Sequence, residues 1–454
     1  MIENRPENTS RRLVLRPVLL MPVFLAGCLA GLHQSPPGPV PVPVSWQPKA
    51  VFRALLETRD PGSTVLDGRD GFSPDEAALF SLDHNPMLRA VRAEKGIARA
   101  EILRAGLLPN PKLEGNISVP AGGRDALMLG YGGGLSWNVM PLLPRSSRIQ
   151  AARERSVSVD LDIAWREWQV AQSARLHAIR LIFLGRQVNV AREAGKYWRK
   201  RVKSYQCALA AKATTKLQLA GAQRSLAEWR LQRQEFERQR LIERAALARS
   251  LGIEPSQVPA MQASWHPGRD IPDSSGLVAG LGRHRLDLIA LQHAQQSRDH
   301  ALRAAALARF PPIELGIHGG RDVDGVGSAG FTLSFTMPVF DHNQYQTALE
   351  HARRHKVKEE YKARLLRAET QTDRYVKELS LLKKQLATAE AADKTANRLA
   401  VLADSSASLG VLNPMIAAGS QDAAYRAQLK KLAIEKAYAE TTVALSITAG
   451  VTIR

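Results

Sequence analysis

His351 and His355 stand four residues apart in a stretch with helical spacing, so one helix face could present both imidazoles to a metal ion. No Glu follows His351, so the pair lacks a zincin-like general base, and no complete ligand set accompanies it. It reads as a solvated pair on a charged helix. His293 and His300, seven apart, read the same way. The glycine runs Tyr131-Gly132-Gly133-Gly134 and His318-Gly319-Gly320 resemble phosphate cradles only in composition. Neither is followed by Lys-Ser/Thr, so both read as strand and turn glycines. Asp322 and Asp324 read as turn residues. No triad or nucleophile elbow occurs. The residues point to no enzyme, no cofactor and no metal site.

The formal net charge is +20, yet the Lys and Arg residues are scattered along helical stretches with no nucleic-acid-binding motif beside them. They read as a basic helical surface, with no nucleic acid as partner. The first segment reads as an address. Arg11, Arg12 and Arg16 precede a short apolar run that ends in Leu25-Ala26-Gly27-Cys28, the layout of a secretory signal over residues 1–27. These last four residues resemble the bacterial lipobox, which implies lipidation of Cys28 and membrane affinity from acyl chains. Leu29 stands where an Asp would resemble an inner-membrane retention signal, which points to the outer membrane. Residues 28–73 then read as a lipidated N-terminus and a Pro-rich tether, because the prolines between Pro36 and Pro43 favour extended chain. With Cys28 lipidated, Cys207 is left unpaired, and it reads as a buried thiol rather than a redox site.

The rest of the chain repeats itself. His84-Asn85-Pro86-Met87-Leu88-Arg89-Ala90 matches His284-Arg285-Leu286-Asp287-Leu288-Ile289-Ala290 at an offset of 200. Leu107, Pro111 and Glu114 then meet Leu307, Pro311 and Glu314, and Leu135-Ser136-Trp137 corresponds to Leu333-Ser334-Phe335. The copies span 74–252 and 275–450, with a linker over 253–274. Each opens with a helix (74–107; 275–308) that a Pro-containing segment ends. A hairpin follows, with strands expected at 112–119 and 128–139 in copy one, and at 313–319 and 330–339 in copy two. Phe331-Thr332-Leu333-Ser334-Phe335 alternates apolar with polar, the pattern of a strand with one apolar face.

A long helical pair completes each copy. Residues 156–204 and 217–251 form the first. In the second, Tyr361, Leu365, Ala368, Tyr375, Leu379, Leu382, Leu386 and Ala389 keep the 4-3 spacing of a coiled-coil seam. A helix of about 50 residues is roughly 75 Å long, too long for an ordinary domain and suited to a conduit. No stretch has the apolar length of a transmembrane helix, so a mature chain that spans a membrane must do so as a β-barrel. Four strands cannot close a barrel, but three chains would supply roughly 12 and leave no open edge.

The order of segments resembles the TolC family of outer-membrane efflux proteins over about residues 74–450. The motifs that carry the resemblance are His84-Asn85-Pro86 to Ala90, Ala105-Gly106-Leu107-Leu108-Pro109-Asn110-Pro111, and Met337-Pro338-Val339-Phe340-Asp341. The second is similar to the branch that exports heavy-metal cations. The resemblance implies a homotrimer with a 12-stranded barrel in outer-membrane lipid and a helical barrel crossing the periplasm. Its tips would dock on a periplasmic adaptor that serves an inner-membrane pump of RND or ABC type. In this sequence the tips fall at 207–216 and 404–414, with Ala208, Leu209, Lys212, Lys216, Ser408, Leu409 and Gly410 as docking residues. The family often places Gly and acidic residues there, whereas the first tip here has no Gly and carries two lysines.

The expected function is a passive exit duct for small molecules or metal ions. The alternatives are the outer-membrane duct of a type I protein secretion system, or a periplasmic coiled-coil scaffold without a pore. The duplicated, one-sided hairpins favour a duct over a scaffold.

Overall fold

The computed structural model describes residues 47–59, 71–122, 128–262 and 270–453, with 266 and 268 between the last two stretches. The stretch read as a secretory signal, Cys28 and the proline run lie outside the described residues. α1 (Pro48–Arg59) falls within the stretch expected as a tether. It is instead part of the folded body: Phe52 is fully buried with its ring 5.5 Å from that of Trp168.

Each copy opens with two helices where one was expected: α2 (Pro74–His84) and α3 (Pro86–Gly106), then α6 (Ser274–His284) and α7 (Leu286–Leu307). Ser73 and Glu76 form a reciprocal capping box at the start of α2, and Pro74 occupies the first helical position. The helix stops because Asn85 precedes Pro86 and takes an extended conformation. The Asn85 side chain then accepts hydrogen bonds from the amides of Met87 and Leu88 and starts α3. In the second copy Arg285 makes the same extended break with no proline after it.

Two glycines lock these breaks. Gly252 and Gly450 both adopt φ +72°, and each ends the last helix of its copy. A Cβ on Gly252 would lie 2.6 Å from the His84 carbonyl oxygen; one on Gly450 would lie 2.9 Å from that of His284. The same lock thus closes both copies.

The long pairs are α4 (Arg145–Ala210) with α5 (Lys216–Leu251), and α8 (Gln344–Ser408) with α9 (Pro414–Ala449). α4 has 66 residues, about 99 Å at helical rise. Gly185 and Gly195 lie within it without ending it. Beyond the hairpins the offset shortens to 198, as the matched ends Gly252 and Gly450 show, and the packing keeps it: Ala174 and Thr372, Ala178 and Val376, Leu181 and Leu379, Val188 and Leu386 are buried at corresponding positions of α4 and α8. Of the expected seam, Ala368, Leu379, Leu386 and Ala389 are buried, with Val376 and Leu379 packed against Tyr438 and Leu445 of α9. Four strands, β1 (Lys112–Ser118), β2 (Gly130–Asn138), β3 (Ile313–Arg321) and β4 (Gly327–Phe335), form one antiparallel sheet in the order β1-β2-β3-β4. Among the described residues no helix is long and apolar enough to cross a membrane.

Candidate functional sites: a two-faced sheet and a basic helical tip

The register sorts every strand side chain onto one of two faces. Leu113, Leu135, Ile317 and Phe331 pair in one row across all four strands. With Ile117, Tyr131, Leu315, Leu333 and Phe335 they make a continuous apolar face. Its large side chains are exposed, Phe331 at 90 %. The opposite face carries Lys112, Glu114, Asn116, Ser136, Glu314, His318, Thr332 and Ser334. There Lys112 Nζ donates to Glu314 Oε1 at 2.7 Å across β2, and His318 Nδ1 lies 2.9 Å from Thr332 Oγ1.

The glycines reveal which way the sheet bends. On the polar face a Cβ added at Gly130, Gly132, Gly134, Gly316, Gly320 or Gly330 would meet another atom at 2.5–3.3 Å. On the apolar face the closest approach at Gly115, Gly133, Gly319 and Gly327 is 3.4–3.9 Å. Substituents crowd on a concave surface and spread on a convex one. The sheet therefore curls with its polar face inward and its apolar face outward. The two outer strands, β1 and β4, each leave one edge unpaired within the chain.

The other end of the long pairs forms two turns. α4 ends in a tight turn in which Lys212 takes φ +57°, and Thr215 caps α5 by accepting from the Gln218 amide. α8 ends at Ser408; Gly410 takes φ +78°, and Asn413 caps α9. Of the predicted tip residues, Lys212, Lys216, Ser408, Leu409 and Gly410 are exposed, while Ala208 and Leu209 are half-buried. Cys207, expected to be buried, is exposed. Val202 and Tyr205 point into the α4–α5 core, and a residue two beyond Tyr205 falls on the far face of the helix. Above the turns, Asp422 of α9 accepts from the indole N–H of Trp198 at 2.9 Å and of Trp229 at 2.6 Å, and from Arg426 at 2.6 Å. This cluster ties both helices of the first pair to the second. Nothing in the sequence spacing marks it.

The remaining candidates stay apart. His351 and His355 are exposed on α8 beside Arg354 and Lys358, cations that disfavour a metal ion. Among the described residues no group of three His, Cys, Asp or Glu is placed to hold a metal. His293 pairs with Glu154 at 2.7 Å. Asp322 accepts at its carbonyl from the Gly325 amide in the β3–β4 turn.

The model of the family described as "Outer membrane efflux protein" matches residues 281–451. No curated protein matches the chain. Among solved structures, a membrane protein of Pseudomonas aeruginosa superposes with a TM-score of 0.70 at 19% identity, covering 83% of this chain and 93% of that one. The outer membrane protein VceC of Vibrio cholerae gives 0.67 at 15%, with coverages of 84% and 97%. The CmeC outer membrane channel of Campylobacter jejuni gives 0.69 at 16%, with 83% and 85%. The match to the family model is confined to residues 281–451, and the chain as a whole has the TolC-like fold of these solved outer-membrane channels.

Proposed function

We propose that the protein is the outer-membrane exit duct of a tripartite efflux system, a homotrimer that lets small molecules or metal ions pass without covalent chemistry. The observation that carries this reading is the curled sheet with a polar concave face and an exposed apolar convex face. Nine residues of strand rise about 30 Å, and a tilt of about 40° reduces this to about 23 Å, the height of the apolar band of a membrane barrel. Three four-stranded sheets joined edge to edge give about 12 strands, above the smallest membrane barrels. A scaffold without a pore has no use for such a sheet.

In this reading the sheet lies in outer-membrane lipid, the long pairs extend into the periplasm, and lipidated Cys28 adds an anchor. The turns at 207–216 and 404–414 dock on a periplasmic adaptor, which links the duct to a pump of RND or ABC type. The test is single-channel conductance of the purified protein in a planar bilayer, with crosslinking to count chains. A crosslinked trimer with discrete conductance steps supports the duct. A monomer lacking both conductance and heat-resistant β-structure overturns it. Mass spectrometry of the mature N-terminus tests the anchor: an unmodified Cys28 removes it without touching the duct.

A further inference from the structure

Charge is distributed unevenly along the long pairs. In the last four turns of α4 and the turn beyond, Arg199, Lys200, Lys203, Lys212 and Lys216 are all exposed, and none has an ion-pair partner among the described residues. The one acidic side chain of both turns, Asp404, is already held by Arg201 at 3.0 Å. Arg199, Lys200 and Lys203 are exposed on the flank and back of α4, away from the face of Trp198, Val202 and Tyr205, which are buried in the core with α5. The cations therefore form an outward stripe running to the turn. Beside them Leu217, Leu409, Val411 and Ile416 are largely exposed.

We propose that this end is a cationic docking surface and that its partner is a protein whose contacting end is rich in Asp and Glu around an apolar centre. This deepens the duct reading and rests on it. The exposed apolar side chains need cover that a free anion does not give. Unpaired like charges at such an end repel one another until an anionic partner neutralises them. A second copy of the chain, with the same cations at its own tip, cannot serve.

The probe is a designed antiparallel coiled-coil hairpin whose end carries Glu and Asp, with the same hairpin ended in Ser and in Lys for comparison. Binding to the full-length, detergent-solubilised trimer is followed by biolayer interferometry. The acidic-ended hairpin is expected to bind at least about ten-fold more tightly than the Ser-ended one, and to weaken as salt rises from about 50 to about 300 mM. Lys212→Glu with Lys216→Glu should abolish that preference, whereas Lys356→Glu with Lys358→Glu, a like change in charge far from the tip, should leave it intact. Equal weakening by both double variants would show general attraction by a basic protein and overturn the inference. So would equal binding of Ser- and Glu-ended hairpins. If the tip variant instead loses binding to phosphatidylglycerol vesicles while the hairpins never bind, the partner is a lipid surface and the inference fails. Conductance is measured on the same samples: intact conductance with no acidic preference refutes this inference alone, whereas absent conductance and trimer refute the duct.

Discussion

Phe331 and Thr332 are adjacent in β4 and point to opposite faces, so replacing each in turn by Lys separates a lipid-facing sheet from a water-facing one. Phe331 is the fifth of nine strand residues and lies in the row with Leu113, Leu135 and Ile317, at mid-height of the apolar face. A lysine at the midplane of a barrel's lipid face costs about 2–4 kcal/mol per chain, hence about 6–12 kcal/mol over three chains. Thr332 faces the concave side with Lys112 and Glu314, where a further charge remains in water. Heat-resistant trimers on unboiled gels and the outer-membrane fraction of expressed protein provide the assay. Phe331→Lys should abolish or sharply reduce both, and Thr332→Lys should leave both near wild type. If the face meets water, the first change merely swaps an exposed apolar side chain for a polar one, within about 0.5 kcal/mol. Folded Phe331→Lys trimers at wild-type level would refute the lipid-facing assignment, and with it the direction of curl as evidence for a pore.

Curvature itself is testable through Gly320→Val, whose Cβ would stand 2.6 Å from the Tyr131 carbonyl oxygen and 2.8 Å from the Gly132 Cα. Both are backbone, so β2 and β3 must separate; trimer yield should collapse, while Gly133→Ala on the convex face should be tolerated. Arg175 and Asp75 form an ion pair at 2.9 Å, with both side chains nearly inaccessible, joining α4 to α2. Asp75→Ala should cost about 3–5 kcal/mol by leaving a buried cation, and Asp75→Leu with Arg175→Met should recover most of it, as read from urea midpoints. Burial pushes the Asp162 carboxyl above its ordinary value, against the pull of Arg155, Arg364 and Arg166, with Asp287 adding to the rise. The folded state therefore holds this proton more tightly than the unfolded state, and stability falls as pH rises through the interval between the two values. Asp162→Asn should remove that fall, so its advantage over wild type should grow from acid to neutral pH; an unchanged pH profile would refute the assignment.

Strong local signals make most of the fold legible in the amino-acid sequence. The duplication shows in residues matched at an offset of 200 that shortens to 198 within the hairpins, the one-sided strands in the alternation around Phe331, and the long helices in unbroken spacing without proline. Where sequence and structure part, the causes are mixed. The break at Asn85 is a local event, since a residue before proline avoids helical geometry, and it is open to detection. The break at Arg285 has no such mark: a distant glycine, Gly450, seats against it, and the Arg285 guanidinium lies over the Trp165 ring and pairs with Asp287. The exposure of Cys207 follows from its helical phase relative to Tyr205, which composition does not reveal. Asp422 gives no signal because its partners, Trp198 and Trp229, lie on two other helices more than 190 residues away.

The locks and the tip cluster hold the two ends of the long pairs by different forces. Gly252 and Gly450 close each copy on its own first break, where a backbone carbonyl leaves no room even for a methyl group, so that end of each pair is sterically fixed. At the other end the two pairs are coupled by apolar packing of Trp198, Tyr205 and Trp229 against Ala418 and Met415, and by polar contacts: Asp422 with two indoles, Arg426 with Glu228, and Arg201 with Asp404. Steric locks hold at any ionic strength, whereas ion pairs at half-exposed sites are weak and screened by salt. A docking partner that brings carboxylates to the tip would compete for Arg201 and Arg426 and act on the softer end while the locked end stays still. The placement of glycine at one end and of charge at the other therefore makes the tip the end whose contacts respond to salt and to an acidic partner.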